Sequence, residues 1–164
     1  MRGLEELVVI DGSGHRFGRL ASRVAKMLLE GKRVVVLNAD RIVITGTKSA
    51  ALERYQKLLD RKWYSSIEKV QISNPRRPDR VFWQAVKRML PKKKALGEEA
   101  LSRLRVYVGI PSEFAKCRTL RIPDAEHRSN ISRSGKLVKS ITLGELLVLI
   151  GGRVTAQGSP EGPE

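Results

Sequence analysis

Two continuous apolar runs, Leu7 to Ile10 and Val34 to Leu37, bracket a helical stripe, and this arrangement constrains the chain more than any other. Runs without polar alternation suit strands buried on both faces. Asp11 and Gly12 end the first run. Between the runs, Leu20, Ala21, Val24, Met27 and Leu28 recur at the helical period until Gly31 stops them, while Arg19, Arg23 and Lys26 lie off the stripe. A strand, a helix and a second strand rich in β-branched residues predict an α/β chain with a parallel sheet.

The remaining elements follow in order. Ile42 to Ile44 is a third, shorter apolar run, and Thr45-Gly46-Thr47 opens a helix carrying Ala51, Leu52, Tyr55, Leu58 and Leu59. From Arg61 to Arg77 the period dissolves into a loop held by a partner. Pro78 and Asp79 then start a helix: proline suits a first turn, and the acid suits the positive end of the helix dipole. Val81, Phe82, Ala85, Val86, Met89 and Leu90 share its apolar face, and Pro91 ends it. At roughly 100° per residue, Arg80, Gln84, Lys87 and Arg88 fall on the opposite face with Trp83 at its margin. Gly97-Glu98-Glu99 begin a further helix with Leu96, Ala100, Leu101 and Leu104 inward, and Leu104 to Val108 is the last clear strand. Arg118 to Lys139 have no period and predict a basic arm that orders on binding. Thr142 and Glu145 have the capping-box spacing of one more helix, ended by Gly151-Gly152. The expected organisation is an α/β core domain over 1–111, a basic extension with a short helix over 112–155, and a disordered tail over 156–164.

Charge narrows the function. Thirty-two Lys or Arg against seventeen Asp or Glu give +15, with a pI near 10.5. Nucleic acid leads as the partner and an acidic membrane surface trails. Residues 61–94 hold eleven of these cations and only Glu68 and Asp79 as acids, a net +9 around the proline-fenced helix. Cys117 is the single cysteine, which leaves no disulfide framework or cysteine-rich metal site and fits a reducing compartment. The opening residues do not read as a signal peptide, and no apolar stretch approaches bilayer length, so the expected location is the cytosol.

Several motifs have competing readings. Gly12, Gly14 and Gly18 between a strand and a helix resemble a dinucleotide-binding turn, but the third glycine falls one place late. The structural alternative is that Gly12 and Gly14 form a tight turn and Gly18 lets the helix approach the sheet. His15, Arg16 and Arg19 beside it favour a polyanion backbone over a single cofactor. Gly46-Thr47-Lys48-Ser49 lacks the spacing of a phosphate loop. Asp11 and Asp40 follow strands, where an acid–base pair is conceivable, but nothing supplies a nucleophile, and they read as turn and capping residues. With only His15 and His127 in the chain, neither a zinc site nor a catalytic triad has material to form. Trp63, Tyr64 and Trp83 lie among basic residues, where a ring can stack on an exposed base.

Arg76-Arg77-Pro78, Arg80-Val81, Ala85-Val86-Lys87, Met89-Leu90-Pro91-Lys92, Leu96-Gly97 and Leu104 through Val106-Tyr107, with Gly109, resemble the signature of the large-subunit ribosomal protein thirteen family. Asp11-Gly12, Gly18-Arg19-Leu20-Ala21, Val36-Leu37-Asn38-Ala39-Asp40 and Thr45-Gly46 match the same family in the same order, so the resemblance covers residues 8–111. The short link from Gly31 to Val34 and the ending Gly109-Ile110-Pro111 resemble its archaeal and eukaryotic branch. The resemblance implies a three-layer α/β/α fold around a small, mainly parallel sheet, four-stranded by the runs counted above. It also implies a structural role in the large subunit, with large-subunit rRNA and neighbouring ribosomal proteins as partners, and no enzymatic activity, cofactor or metal. Phosphate contacts are expected from Arg76, Arg77, Arg80, Lys87, Arg88, Lys92, Lys93 and Lys94, and further ones from Arg16, Arg19, Lys48 and Lys62. Trp63 and Tyr64 are the expected stacking residues. The rival reading is a nucleotide- or NAD(P)-binding enzyme built on Gly12, Gly14 and Gly18.

Overall fold

A computed structural model describes residues 6–59, 75–127, 135, 137–152 and 154. Strand β1 (Leu7–Asp11), helix α1 (Phe17–Leu29) and strand β2 (Arg33–Leu37) form the expected opening unit. They are followed by β3 (Val43–Thr45), α2 (Lys48–Leu59), α3 (Pro78–Met89), α4 (Ala95–Ser102), β4 (Leu104–Val106), β5 (Ser140–Thr142) and α5 (Leu143–Leu149). The central sheet runs β1-β2-β4, all parallel, with Val9 opposite Val35, Val35 opposite Arg105, and Val36 between Ile10 and Val106. Alternation along each strand sorts the side chains. Ile10, Val34, Val36, Leu104 and Val106 join Leu20, Val24 and Leu28 of α1, Phe82 and Val86 of α3 and Ala100 of α4 in one core. Phe17 meets Phe82 edge to face at 5.7 Å and 89°, which fixes α1 against α3. Val9, Val35 and Leu37 point the other way and are closed by Tyr107 and Phe114, so the layer behind the sheet is thin.

The α/β class and the mainly parallel sheet are as expected, but the third apolar run is not the sheet's fourth strand. After β2 the chain passes through Asn38 at φ 53°, a left-handed conformation that asparagine tolerates, and then a 3-10 turn over Ala39–Arg41. This turn carries β3 off the sheet, where it pairs antiparallel with β5: Val43 opposes Thr142 and Thr45 opposes Ser140. Ala51, Ile141 and Leu146 pack as a second cluster under that pair. The free side of β1 is taken by Leu120, which forms a parallel bridge with Ile10, receives the Asp11 N–H at 3.3 Å and donates its own N–H to Val9 at 2.7 Å.

The first part of the basic arm, as far as His127, packs against the core. Ile122 and Ala125 are buried in the main cluster. The Arg16 N–H donates to the Ala125 carbonyl at 2.7 Å, and the His127 N–H donates to the Gly14 carbonyl at 2.9 Å. Residues 128–134 of that arm, and the tail from 155 onward, lie outside the described residues.

Three side-chain assignments also change. Leu96 is half exposed, and Gly97 takes the inward place because the helix lies against the Pro91 carbonyl, where a side chain would collide. Met89, at the end of α3, is exposed rather than packed. Gly18 has open space around it, so it is not the close approach expected; Gly12 is, since a Cβ there would lie 2.8 Å from the Leu37 carbonyl oxygen.

Candidate nucleic-acid interface

Helix α3 builds the site. Arg77 is its extended N-cap and Pro78 its first residue, as the proline fence predicts. Asp79 is turned inward and buried, and its Oδ2 is held by Arg77 Nη2 at 3.1 Å. Val81, Phe82, Val86 and Leu90 are buried, which turns the remaining faces of the helix outward. Arg76, Arg77, Arg80, Lys87, Arg88 and Lys92 line one open groove with Pro75, Trp83 and Gln84, and no acidic side chain is among its lining residues. Lys87 Nζ stands 5.0 Å from the centre of the half-buried Trp83 ring, a cation–π distance. Behind the groove Gly152, just past α5, abuts the Arg76 carbonyl so closely that a side chain there would collide with it. Tyr55 of α2 lies nearby; burial pushes its phenol up, against the lowering effects of Arg54 and Arg88.

The groove thus gathers six of the expected cations. Lys93 and Lys94 are exposed on the turn into α4 but do not line it, and Lys48 is exposed on the first turn of α2. Arg16 and Arg19 belong to a different face: Arg16 Nε donates to His127 Nδ1 at 3.2 Å, and Arg19 reaches the Asp124 carbonyl at 3.5 Å. Arg23, not assigned from the sequence, pairs with Asp124 at 2.6 Å on this second face, which Lys26 also lines. Lys62, Trp63 and Tyr64 lie outside the described residues. Trp83 is the central groove residue that the helical wheel left at a margin. Its place between Arg80 and Lys87 on the outward side of α3 is the signal that marks it.

The glycine turn is occupied by the chain itself. Residues Ile122 to His127 cover it: besides the two backbone bonds already described, His15 Nε2 accepts the Ile122 N–H at 3.1 Å. Asp11 acts as the turn residue expected, its Oδ1 accepting the Ser13 N–H at 3.0 Å and Asn38 Nδ2 at 2.9 Å. Burial alone pushes the Asp11 carboxyl up, but hydrogen bonds from Asn38, Ser13 and Arg121 outweigh it and hold the group below its ordinary 3.8.

A family model described as Ribosomal protein L13 matches residues 5–113. The chain belongs to the ribosomal protein L13 family. The large ribosomal subunit protein uL13 of Archaeoglobus fulgidus is 42% identical over 149 residues, which cover 91% of this chain and 90% of that protein. The protein of the same name from Aeropyrum pernix is 48% identical over 120 residues, covering 73% of this chain and 77% of its own length. A eukaryotic relative from Tetrahymena thermophila is 37% identical over 147 residues, 90% of this chain and 72% of that protein. L13 is a structural family without enzymatic activity, so the nucleotide-dependent enzyme reading of Gly12, Gly14 and Gly18 does not hold. All of α3 and its groove cations, Arg76 to Lys92, fall inside the matched region.

Proposed function

We propose that this chain is a structural constituent of the large ribosomal subunit that binds large-subunit rRNA and supports assembly of the subunit in the cytoplasm. The observation that carries the reading is the α3 groove, where six cations surround one tryptophan with no acid on the lining. RNA helices offer phosphates and 2′-hydroxyls more readily than base edges, so recognition by a rigid cationic surface is recognition of shape and charge. Arg76, Arg77, Arg80, Lys87, Arg88 and Lys92 take phosphates in the groove; Lys93, Lys94, Lys48, Lys62, Arg16 and Arg19 take others, and Trp63 and Tyr64 stack. The names of the relatives support the large subunit as the location and neighbouring ribosomal proteins as further partners.

The test is sedimentation of native lysate through a density gradient, with the chain followed before and after nuclease digestion. Co-migration with the large subunit, lost when the RNA is digested, is the expected result. Recovery only among light soluble proteins, with or without nuclease, would sink the reading.

A further inference from the structure

On the far side of Trp83 the cationic groove opens into a second cavity, between α3, α4 and the edge strand β4. Its walls include Trp83, Leu90, Leu101, Leu104 and Val106, and it shares Arg80, Trp83, Lys87 and Lys92 with the groove. Asp79 also lines it. This carboxylate is more than nine-tenths buried; Arg77 holds Oδ2, while Oδ1 has no hydrogen-bond partner among the described residues. A buried acceptor left without a donor is uncommon in a folded protein and marks a place where a ligand can supply one. A mainly apolar cavity with the buried Asp79 acceptor on its wall, Glu98 and Ser102 lining it as well, and an opening onto a row of cations matches a nucleotide whose base has left the stack.

We propose that this cavity takes one unstacked nucleobase of the bound RNA, an adenine, cytosine or guanine whose amino group donates to the Asp79 carboxylate while the base packs on the apolar walls beside Trp83. The inference rests on the RNA-binding reading above and specifies what the α3 site recognises: a bulged or looped nucleotide, not a continuous helix. Uracil is disfavoured because it carries no amino group, and its ring N–H sits between two carbonyls that would face the carboxylate. Arg80, Lys87 and Lys92 hold the phosphates on either side of the inserted base. An extended peptide could lie along the same β4 edge, but the cavity's continuity with the cationic groove favours the nucleotide.

The test measures binding of the full chain to an RNA duplex and to the same duplex carrying a single bulged adenosine, cytidine, guanosine, uridine or abasic site. Bulged adenosine, cytidine or guanosine should bind roughly tenfold tighter than the uridine or abasic bulge, the discrimination typical of one good base contact. Asp79→Asn should erase that preference or turn it toward uridine. Should Asp79→Asn fail to fold, Leu101→Trp fills the cavity without touching the carboxylate and is expected to erase the same preference. Equal binding of every bulge and of the continuous duplex by the unaltered chain leaves RNA binding in place and overturns the base cavity. Failure to bind any of these duplexes or purified large-subunit rRNA overturns the RNA-binding reading, and the cavity proposal falls with it.

Discussion

His15 Nε2 accepts the backbone N–H of Ile122 at 3.1 Å, joining residues 107 apart in the chain. The ring is fully buried, and its Nδ1 lies 3.1 Å from the Ser13 carbonyl. Because Nε2 accepts, the proton sits on Nδ1 and is donated to Ser13, so the neutral imidazole in one tautomer closes the glycine turn against the later segment. His15→Leu keeps nearly the same volume and removes both bonds. It should cost about 2 kcal/mol, the scale of an unsatisfied buried amide, read from the urea midpoint. Wild-type stability in that variant would show that the His15 bonds contribute nothing net.

Arg76 and Arg77 are adjacent and both exposed, yet alanine should affect them differently. Arg77 forms the ion pair with buried Asp79, so Arg77→Ala should destabilise the fold by about 1–3 kcal/mol as well as weaken RNA binding. Arg76→Ala should leave the melting temperature unchanged and reduce RNA affinity. It should also lower the slope of log K against log salt by about 0.7–0.9. Titrations at several salt concentrations, alongside thermal melts, separate the two; an unchanged slope for Arg76→Ala removes that residue from the phosphate contacts.

Gly152 and Gly97 act through backbone clearance. A methyl at Gly152 would press on the carbonyls of Arg76 and Leu147, and one at Gly97 would press on Pro91. Gly97→Ala should destabilise by about 1–3 kcal/mol, the cost of overpacking. Gly152→Ala should displace the loop that starts the groove, lowering RNA affinity although no charge is removed. Full RNA affinity in folded Gly152→Ala would show that this contact does not set the position of Arg76.

Asp11 predicts an acid limb of stability. Its folded-state carboxyl is held below the ordinary 3.8, so the unfolded chain binds the proton more readily. The stabilisation is present above about 3.8 and is lost as pH falls through the lowered folded value. Asp11→Asn should flatten that part of the curve of unfolding free energy against pH. A curve with the same acid slope in both proteins would assign the effect to other carboxylates.

Elements that carry their own punctuation are legible in the sequence. The proline fence of α3 and the capping box of α5 are local signals, and both helices begin where those signals place them: Pro78 leads α3, and Thr142 and Glu145 exchange the two bonds of the box. The groove is equally legible, because the helical period alone puts Arg80, Gln84, Lys87 and Arg88 together. What sequence reading missed depends on distant partners. No local pattern shows that β3 pairs with β5, that Leu120 lies along β1, or that Gly97 rather than Leu96 faces Pro91. Residues 118–127 are polar and aperiodic because backbone bonds to the glycine turn hold them in place, with only Ile122 and Ala125 contributing buried apolar surface.

The pairing of Leu120 with β1, and of β5 with β3, has a consequence during synthesis. A nascent chain that has emerged only as far as Cys117 can assemble the β1-β2-β4 sheet, but β1 then has an open edge and β3 has no partner. Such edges pair readily with other chains. The most basic stretch, residues 61–94, has emerged by then. Only the last third of the chain closes both edges, Leu120 along β1 and β5 along β3.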